Sequence, residues 1–453
     1  MLFSSSRPVL RPLRPYTSAA RGLLPLPLLR RLGLDPVVRR APWALQQADV
    51  VMIVLNAISN DNRVLKCADT LTRAGYKVTL LGKSGAWDCP DAVATRVMGL
   101  PAILLPDPHI FLRAARTRVP ALNWDFMVAY MKSAMWHYVK AINPRFIHTH
   151  DMNTIAVGAD LARRMRAGGK QVSWIHDQHE YVAGHVFRDY TSPDGREDVE
   201  WKQVALRHER DHVHDPDALI TVSPLLAQYL QRDYGLAEPP SVILNAPQRA
   251  AAMAAMGGRT IRQALGLGAD VPLLVYSGGV SRLRGLHTLT DALAELPGVH
   301  LALQTENRGA YVDKLLETAR QRGYADRLHM VPYVAPSEVP GFIRDATAGV
   351  HPMTVYGNSE VALPNKLFDY CLARLPCVVS NCRAMSEFVN RWGVGEVFQA
   401  EDPADLARAI RQVIADRPRY VARMEDQPEL IAAHSWEAQE DILLGIYRRL
   451  GGS

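Results

Sequence analysis

A chain of 453 residues is too long for one ordinary hydrophobic core, so we expect two or three domains. Hydrophobic residues make up 48% and charged residues 22% of the chain, which is typical of a globular protein and excludes extensive disorder. The net charge is +6, but residues 1–40 hold eight arginines against one acid, which gives +7 there and leaves −1 for the remainder. A nearly neutral body does not indicate nucleic-acid binding.

The first 47 residues form a basic, Pro/Arg-rich segment that we interpret as a disordered arm. Its composition is similar to that of a transit peptide, but its repeated prolines oppose a long amphipathic helix. The alternative is a peripheral tether to an anionic membrane. No apolar run of about 18 residues or more occurs, so no membrane-spanning helix is expected. Five cysteines, an odd number, favour a reducing compartment. We therefore expect a cytoplasmic protein, with peripheral contact at the inner face of the membrane as the alternative.

Strand and helix patterns alternate along the rest of the chain. The first set of predicted strands lies at 49–56, 77–82, 145–151, 172–177, 218–223 and 241–246. The second set lies at 273–278, 300–305, 328–334, 348–353, 376–380 and 395–398, with helices near 285–296, 309–323, 336–346, 363–374 and 402–416. Short apolar strands that alternate with helices predict doubly wound parallel sheets.

We therefore predict an α/β protein of two Rossmann-like domains that face each other across a cleft. The predicted limits are 48–248 for the N-terminal, acceptor-side domain and 249–425 for the C-terminal, donor domain. Residues 426–453 are predicted to form a helix that crosses back onto the first domain. In open α/β sheets ligands bind at the carboxyl ends of the strands, so the loops that follow the strands are expected to carry the chemistry.

One such loop leads into a helix start with Pro364, Asn365, Lys366 and Asp369. Proline is favoured in the first helical turn, where the next N–H groups lack intrahelical partners and face outward in the positive field of the helix dipole. With the charge of Lys366 they predict a phosphate or diphosphate site, and Asp369 is placed to accept from ribose hydroxyls. The alternative is an ordinary helix start with an exposed lysine and aspartate.

A second candidate anion element follows the strand at 273–278. Gly278 and Gly279 allow a ligand to approach the backbone, and the guanidinium groups of Arg282 and Arg284 suit phosphate oxygens. Surface arginines at a helix start are the alternative interpretation. The chain has no GxGxxG pattern, which counts against a nicotinamide cofactor.

Three segments in the second half resemble, in order and spacing, the donor-binding half of retaining glycosyltransferases of family 4: YSGGVSRLRGLHTLTDAL, HMVPYVAPSEVPGFIRDATAGVHPM and NSEVALPNKLFDYCLARLPCVVS. The first half contains similar matches: NDNRVLKCADTLTRAGYKVTLLG, HTHDMNTIAVGADLA, HDQHEY and ALITVSPLLAQYL. HSWEAQEDILLGIYRRL resembles the closing helix of that family. The resemblance covers roughly residues 49–450 and implies the GT-B fold.

The resemblance implies roles for residues at matching positions. Arg284 stands where the family has a diphosphate-binding lysine, Asp369 matches the second carboxylate of an E-x7-E element, and His150 matches an active-site histidine. Glu360 is one residue early for the first carboxylate, and Gly279 stands where an arginine is common. The implied catalytic residues are His150, Glu360, Arg284 and Lys366. The implied donor-binding residues are Gly278, Gly279, Arg282, Arg284, Tyr333, Val334, Leu363, Pro364, Asn365, Lys366 and Asp369.

Polar residues after the first-domain strands are candidates for the acceptor side. They are Asn60, Asp61, Arg63, Asp151, His179 and Glu180. Helix capping is the alternative for Asn60 and Asp61. The histidines and acids around residues 148–151 and 176–180 allow a metal site in composition. However, no HExxH is present and the resemblance implies no donor-bound metal, so neither a metal nor a cofactor is expected. Residues 108–118 mix apolar and basic side chains and are interpreted as a solvated helix, with an acceptor-side or membrane-facing surface as the alternative.

We predict a retaining, metal-independent glycosyltransferase that uses a nucleoside-diphosphate sugar and a glycan, lipid-linked or small-molecule acceptor, without nucleic acid. Such an enzyme would act in glycan, polysaccharide or glycoconjugate biosynthesis. Alternatives on the same fold are a nucleotide-sugar epimerase, a sugar phosphorylase, and a non-catalytic nucleotide-sugar-binding protein.

Overall fold

The structure is a computed structural model that describes residues 42–84, 92–105, 120–187, 199–305 and 309–452. Most of the predicted N-terminal arm and the whole of segment 108–118 lie outside the described residues. Among the described residues, no helix has the length and apolar character that a membrane crossing requires.

The described chain alternates strands and helices as predicted. The strands are β1 (Val50–Ile53), β2 (Val78–Lys83), β3 (Val93–Val97), β4 (Leu100–Leu105), β5 (Phe146–His150), β6 (Ser173–Gln178), β7 (Ala218–Thr221), β8 (Ser241–Val242), β9 (Leu273–Ser277), β10 (His300–Gln304), β11 (Leu328–Val331), β12 (Ala348–His351), β13 (Cys377–Ser380) and β14 (Gly395–Phe398). The helices are α1 (Asn62–Arg73), α2 (Pro120–Ile142), α3 (Ile155–Ala167), α4 (Val199–His212), α5 (Pro224–Tyr234), α6 (Arg249–Ala254), α7 (Ile261–Leu265), α8 (Leu286–Leu293), α9 (Ala310–Gln321), α10 (Val339–Ile343), α11 (Gly357–Val361), α12 (Asn365–Leu372), α13 (Arg383–Trp392), α14 (Pro403–Ala415), α15 (Arg417–Glu425), α16 (Pro428–Ala433) and α17 (Trp436–Gly451).

The chain divides into two compact units. One comprises Met1–Asp177 and Asp198–Asp217, and the other comprises Gln178–Glu197 and Ala218–Ser453. The domain limits predicted at residues 248 and 425, and the crossing of the last segment onto the first domain, remain predictions.

In the first unit, successive sheet neighbours follow the order β3-β4-β2-β1-β5-β6. All of these pairs are parallel except β3 with β4. The antiparallel pair is a hairpin that the sequence analysis missed. Met98 and Gly99 connect its strands with φ of 50° and 79°, and Val97 pairs with Leu100. Two consecutive positive φ angles are typical of the two-residue turns that join hairpin strands.

The second unit contains a six-stranded sheet in the order β11-β10-β9-β12-β13-β14, with every pair parallel. Counted from β9, this is the 3-2-1-4-5-6 order of the Rossmann fold. Both faces of the sheet are covered, because Leu273 and Val275 belong to one hydrophobic cluster whereas Leu274 and Tyr276 belong to another. The predicted α/β class with two Rossmann-like parallel sheets is confirmed.

The strand order predicts where a ligand would bind in the second unit. The chain leaves β9 toward β10 on one side, and β12 starts the other half of the sheet. Ligands of open α/β sheets bind at this switch point, outside the carboxyl ends of the two central strands. The loops that follow β9 and β12 are those that carry the two predicted anion elements.

Gly285 shows how closely these two loops approach each other, and it provides a test. Its φ is +68°, and an added Cβ would lie 1.7 Å from the carbonyl oxygen of Pro352, whereas Gly266 has the same φ and open space around it. We expect Gly266→Ala to cost about 1–2 kcal/mol, the usual penalty for a left-handed residue with a Cβ. Gly285→Ala should cost more than about 4 kcal/mol, because the backbone must also move. Thermal unfolding midpoints measured side by side check this, and equal shifts would show that the close approach is absent.

Candidate functional site

A glycine loop follows β9 at the carboxyl edge of the second sheet. The N–H of Gly278 donates to the carbonyl oxygen of Gln304 at 2.9 Å, and Gly278 adopts a φ of 123° that disfavours other residues. Gly279 is exposed, and a 3-10 turn at Arg282–Arg284 leads into α8. Of the predicted glycine pair, Gly278 therefore serves a backbone conformation that other residues rarely adopt.

Helix α12 presents its N-terminus at the same edge. Pro364 precedes the helix with ψ of 144°, so the helix begins at Asn365, two residues after the predicted start at 363. Within the described chain, the N–H groups of Asn365 and Lys366 have no protein acceptor. The ammonium Nζ of Lys366 lies 4.9 Å from the ring centroid of Tyr276, and a Cβ added to Gly278 would be 3.5 Å from it. The predicted lysine thus lies against the predicted glycine loop.

Two positive charges are concentrated at this point. Burial and the charge of Arg284 hold the pKa of Lys366 well below its usual range, whereas Asp369 opposes this shift. The same two charges act on His351. Burial, followed by the charges of Lys366 and Arg284, holds the pKa of His351 well below its usual range. The structure therefore brings Gly278, Arg284, Lys366 and Asp369 together, which is the charge distribution an anion requires.

Other predicted donor residues differ in their surroundings. Tyr333, Val334 and Leu363 are partly buried and pack against the hydrophobic cluster on the α12 side of the sheet. Arg282 is exposed, and its charge helps burial to lower the pKa of His287. Arg282 is not among the charged groups that act on the pKa of Lys366, so its role in donor binding remains a prediction.

Glu360 lies on the short helix α11 and points to another helix terminus. Its Oε2 accepts from the backbone N–H of Arg383, the first residue of α13, at 3.2 Å. Val361, which occupies the position of the family carboxylate, is 1% exposed and packs in a small cluster with Leu225 and Leu226 of α5. The catalytic role of Glu360 remains a prediction, and its observed partner is a helix N-terminus.

In the first unit, Arg63 and Asp177 form a buried ion pair. Arg63 Nε and Nη2 donate to the two carboxylate oxygens of Asp177 at 2.8 and 2.9 Å, and the two side chains are 3% and 1% exposed. His150 Nδ1 lies 3.2 Å from Asp177 Oδ2. Arg63, a predicted acceptor-side residue, is paired with Asp177, and its role toward an acceptor stays a prediction.

Three side chains near this ion pair could serve as metal ligands: His148, His150 and Asp177. Their nitrogen and carboxylate oxygen atoms lie within 4.8 Å of one another. His148 and His150 are stacked with ring centroids 4.3 Å apart. Burial, followed by the charge of His150, holds the pKa of His148 well below its usual range. The guanidinium of Arg63 already supplies a positive charge to Asp177, which disfavours a further cation at this carboxylate.

The turn residues near this ion pair have mainly structural contacts. Asp61 Oδ1 caps α1 by accepting from the N–H of Val64 at 3.1 Å, and its Oδ2 accepts from Asn56 Nδ2 at 2.7 Å. Asn60 is exposed. Asp151 adopts a φ of 70°, and its N–H donates to the carbonyl oxygen of Asp177 at 3.0 Å. The capping alternative for Asp61 is what the structure shows, and the acceptor roles stay predictions.

The segment after β6 carries Glu180 to α11 within the second unit. Asn358 Nδ2 donates to Glu180 Oε2, and its Oδ1 accepts from the N–H of Tyr181 at 2.8 Å. Gly184 and Gly357 approach so closely that a Cβ on Gly184 would lie 2.4 Å from the carbonyl carbon of Gly357. His179 is half-buried beside Glu180. Sequence reasoning missed Asn358, because an asparagine in a polar loop gives no signal for a contact 178 residues away in the chain.

Three buried polar residues at the carboxyl edge of the second sheet were also missed: Tyr276, Gln304 and His351. Each lies near the end of an apolar strand, where a strand pattern predicts core. Among the described residues, the ring nitrogens of His351 and the amide of Gln304 have no hydrogen-bond partner. A histidine inside the otherwise apolar predicted strand 348–353 is the signal that was available.

Comparisons with known proteins agree with the observed architecture. A sucrose-phosphate synthase from Thermosynechococcus elongatus superimposes with a TM-score of 0.71, 20% identity and coverage of 89% of this chain and 98% of that one. Anabaena HepE in complex with UDP-glucose gives a TM-score of 0.64 at 15% identity, with coverage of 89% and 100%. These likenesses define the fold, which is that of the GT-B glycosyltransferases.

The sequence comparisons identify the family. Residues 61–246 match the glycosyl transferase 4-like domain, and residues 258–428 match the glycosyl transferases group 1 family. A D-inositol 3-phosphate glycosyltransferase from Catenulispora acidiphila is 27% identical over 198 residues, which is 41% of this chain and 46% of that protein. The chain spans about half the length of the curated relatives it matches. The chain belongs to glycosyltransferase family 4, as its motifs predicted.

The buried ion pair in the first unit gives a second test. Replacing Asp177 by Asn leaves the guanidinium of Arg63 buried without a counter-charge, which should cost about 3–5 kcal/mol. The matched control is Asp69→Asn, which breaks an ion pair whose side chains are 53% and 32% exposed. That change should cost less than about 1 kcal/mol. Denaturant unfolding, followed by a spectroscopic probe in the first unit, measures the free energy of unfolding of both variants. A similar small loss of unfolding free energy in the two variants would contradict the assignment of a structural ion pair.

Proposed function

We propose that the protein transfers a sugar, with retention of configuration, from a nucleoside-diphosphate sugar to an acceptor hydroxyl. The observation that carries the proposal is the pair of cations Arg284 and Lys366, which lie with a glycine loop and the N-terminus of α12 at the switch point of the second sheet. UDP-glucose bound to the structural neighbour HepE supports the donor class.

The chemistry of such a transfer matches these charges. The bond between the anomeric carbon and the phosphate oxygen breaks, and the leaving diphosphate gains negative charge. Fixed cations and helix N–H groups that face this charge stabilise the transition state, which is often the largest catalytic term. The leaving diphosphate would receive hydrogen bonds from the side chains of Arg284 and Lys366 and from the N–H groups of Asn365 and Lys366. Asp369, one turn into α12, is proposed to accept from the ribose hydroxyls.

Retention is proposed from the family resemblance. The acceptor oxygen attacks from the face that the phosphate leaves, and the proton of the acceptor hydroxyl passes to a phosphate oxygen. Because Arg284 and Lys366 already neutralise the diphosphate, we propose that no metal ion is needed. Stabilisation of the leaving diphosphate does not depend on the roles predicted for His150 and Glu360.

Several features of the substrate are part of the same proposal. The D-inositol 3-phosphate in the name of the relative supports a hydroxyl-rich acceptor, and a role in glycan or glycoconjugate biosynthesis follows from that class. The charge of +7 in the first 40 residues supports peripheral contact with an anionic membrane at the cytoplasmic face. The anomeric configuration of a product made from UDP-glucose, determined by NMR, tests retention, and donor turnover without acceptor would favour the epimerase alternative.

The lysine of the anion element provides the direct test of donor binding. Lys366→Met should weaken binding of UDP, or of whichever of UDP, GDP and ADP binds best, by about 10- to 100-fold, because a charge-assisted contact contributes about 1.5–3 kcal/mol. Lys314→Met, an exposed lysine on α9, is the matched control and should bind as the wild type does. Isothermal titration calorimetry measures both. Equal affinities in the two variants would reject the assigned phosphate site, and a wild-type protein that binds none of the three nucleotides would reject the donor class.

Donor affinity should also depend on pH through Lys366. The pKa of Lys366 is lowered in the free protein, and a bound anion raises it, so binding takes up a proton at pH values between the two. Above about pH 7 the diphosphate is fully ionised, so affinity should fall as the pH rises through the lowered pKa of Lys366. The charged groups that face Lys366 are Arg284 and Asp369.

The matched variant for this test is Lys366→Arg, because its guanidinium stays charged over the whole range. Titrations in buffers of different ionisation enthalpy count the protons taken up. The wild type should take up protons in alkaline buffer and Lys366→Arg should not. Persistence of the same pH dependence in Lys366→Arg would assign it to another group.

A further inference from the structure

Tyr276 contacts both anion elements of the donor site, although its own ring is completely buried. It lies one residue before the end of β9 and is paired in register with Leu303 of β10. Its ring faces the ammonium of Lys366, with 4.9 Å between Nζ and the ring centroid. Its hydroxyl donates to the carbonyl oxygen of Gly279 at 2.6 Å. One side chain therefore touches the lysine and the glycine loop at the same time.

The contact with the ring stabilises the lysine without neutralising it. Among the described residues, no carboxylate forms an ion pair with Lys366, and the charges that act on its pKa are those of Arg284 and Asp369. An aromatic face attracts a cation through its quadrupole and leaves the net charge in place. A carboxylate in the same position would compete with a phosphate for the ammonium. The ring thus holds a half-buried cation in a state that is ready to bind an anion.

The hydroxyl contact orients the glycine loop. In a trans peptide the C=O and the following N–H point in opposite directions. Because the carbonyl of Gly279 points to the buried hydroxyl of Tyr276, the N–H of Val280 points away from it. Within the described part of the chain, the N–H groups of Gly279 and Val280 have no protein acceptor. Burial raises the pKa of Tyr276 to about 12, while Arg284 opposes this shift, so the hydroxyl remains a donor at physiological pH.

His351 fixes the ring from the neighbouring strand. Its imidazole stacks with Tyr276 at a centroid distance of 6.0 Å and an interplanar angle of 22°. It is fully buried, and neither ring nitrogen has a hydrogen-bond partner among the described residues. A neutral imidazole next to two cations adds no repulsion. Tyr276 is consequently confined between strand, stacked ring, loop carbonyl and ammonium.

We infer that Tyr276 is a positioning residue of the donor site, whose ring holds the Lys366 ammonium and whose hydroxyl holds the Gly279 carbonyl so that both elements meet one diphosphate. The inference rests on the proposed function, since it names how the same site is organised. Tyr276 thus makes two contributions, the hydrogen bond of its hydroxyl and the contact of its ring with the ammonium. One substitution can remove the first alone, and another can remove both.

The experiment measures binding of UDP, or of whichever of UDP, GDP and ADP binds the wild type best, to the full chain by calorimetry from neutral to alkaline pH. Tyr276→Phe removes only the hydroxyl and should raise Kd about five-fold, the effect of one hydrogen bond, without moving the pH profile. Tyr276→Leu also removes the aromatic face. It should raise Kd further and shift the fall in affinity to lower pH, because the ammonium loses its stabilising partner. Tyr324→Phe, at a tyrosine fully buried in the same hydrophobic cluster, is the control and should leave Kd unchanged.

A purely structural role for Tyr276 would not shift the pH dependence of Kd. The pH dependence therefore distinguishes a positioning role from a purely structural one. In a Lys366→Met background, Tyr276→Leu and Tyr276→Phe should weaken binding equally, because the ring no longer has an ammonium to hold. Wild-type affinity in Tyr276→Phe together with a wild-type pH profile in Tyr276→Leu would overturn the inference. A wild-type protein that binds no nucleoside diphosphate would instead overturn the proposed function, and Tyr276 is then judged by the same variants with pyrophosphate as the probe. If Tyr276→Leu does not fold, the comparison of Tyr276→Phe with Tyr324→Phe at one pH still decides the hydroxyl contribution.

Discussion

The positive charges of Arg284 and Lys366 lie close together at the carboxyl edge of the second sheet and repel each other. Burial and, after it, the charge of Arg284 hold the pKa of Lys366 well below its usual range. A folded protein that keeps two such charges together without an anion loses stability, and recovers it when an anion binds. The loops that follow β9 and β12 pack directly against each other here, since a Cβ added to Gly285 would lie 1.7 Å from the carbonyl oxygen of Pro352. The repulsion is therefore a physical reason to expect that an anion binds between these two cations.

The two units stabilise a cation by different interactions: Arg63 by a carboxylate in the first unit, and Lys366 by an aromatic ring in the second. Arg63 is neutralised by two short hydrogen bonds to Asp177, and both side chains are almost completely inaccessible. Lys366 is stabilised by an aromatic face and remains half-buried. A paired buried cation serves structure, because an anionic ligand would have to displace a carboxylate that is already in place. A cation that is stabilised without a counter-charge is available to a ligand. The presence or absence of a paired carboxylate, more than residue type, therefore distinguishes the surroundings of Arg63 from those of Lys366.

The sequence predicted the strands that are apolar throughout and the loops that follow them, because burial on both faces leaves a continuous apolar run. It did not predict the β3–β4 hairpin, since Met98 at positive φ carries no turn signal in its residue type and Pro101 argues against a strand. Lys366 and the glycine loop were predicted because helix starts and strand-end glycines have local signatures. Tyr276 was not, because its role depends on which loop and which helix the fold brings to its ring, and an aromatic residue in an apolar strand is indistinguishable from core.

Glu360 shows how one residue of displacement changes the use of a side chain. In an α-helix successive side chains are rotated by about 100°, so a carboxylate one position early cannot face where its neighbour would. In this chain the neighbour is Val361, which is buried, and its carbonyl oxygen accepts from the hydroxyl of Ser223 at 2.5 Å. That packing fixes the orientation of α11, and Glu360 consequently reaches the N-terminus of α13. The chain thus keeps a carboxylate near the position expected for the family but binds it to a helix dipole. The role of Glu360 toward the transferred sugar stays a prediction, and its observed partner is the backbone N–H of Arg383.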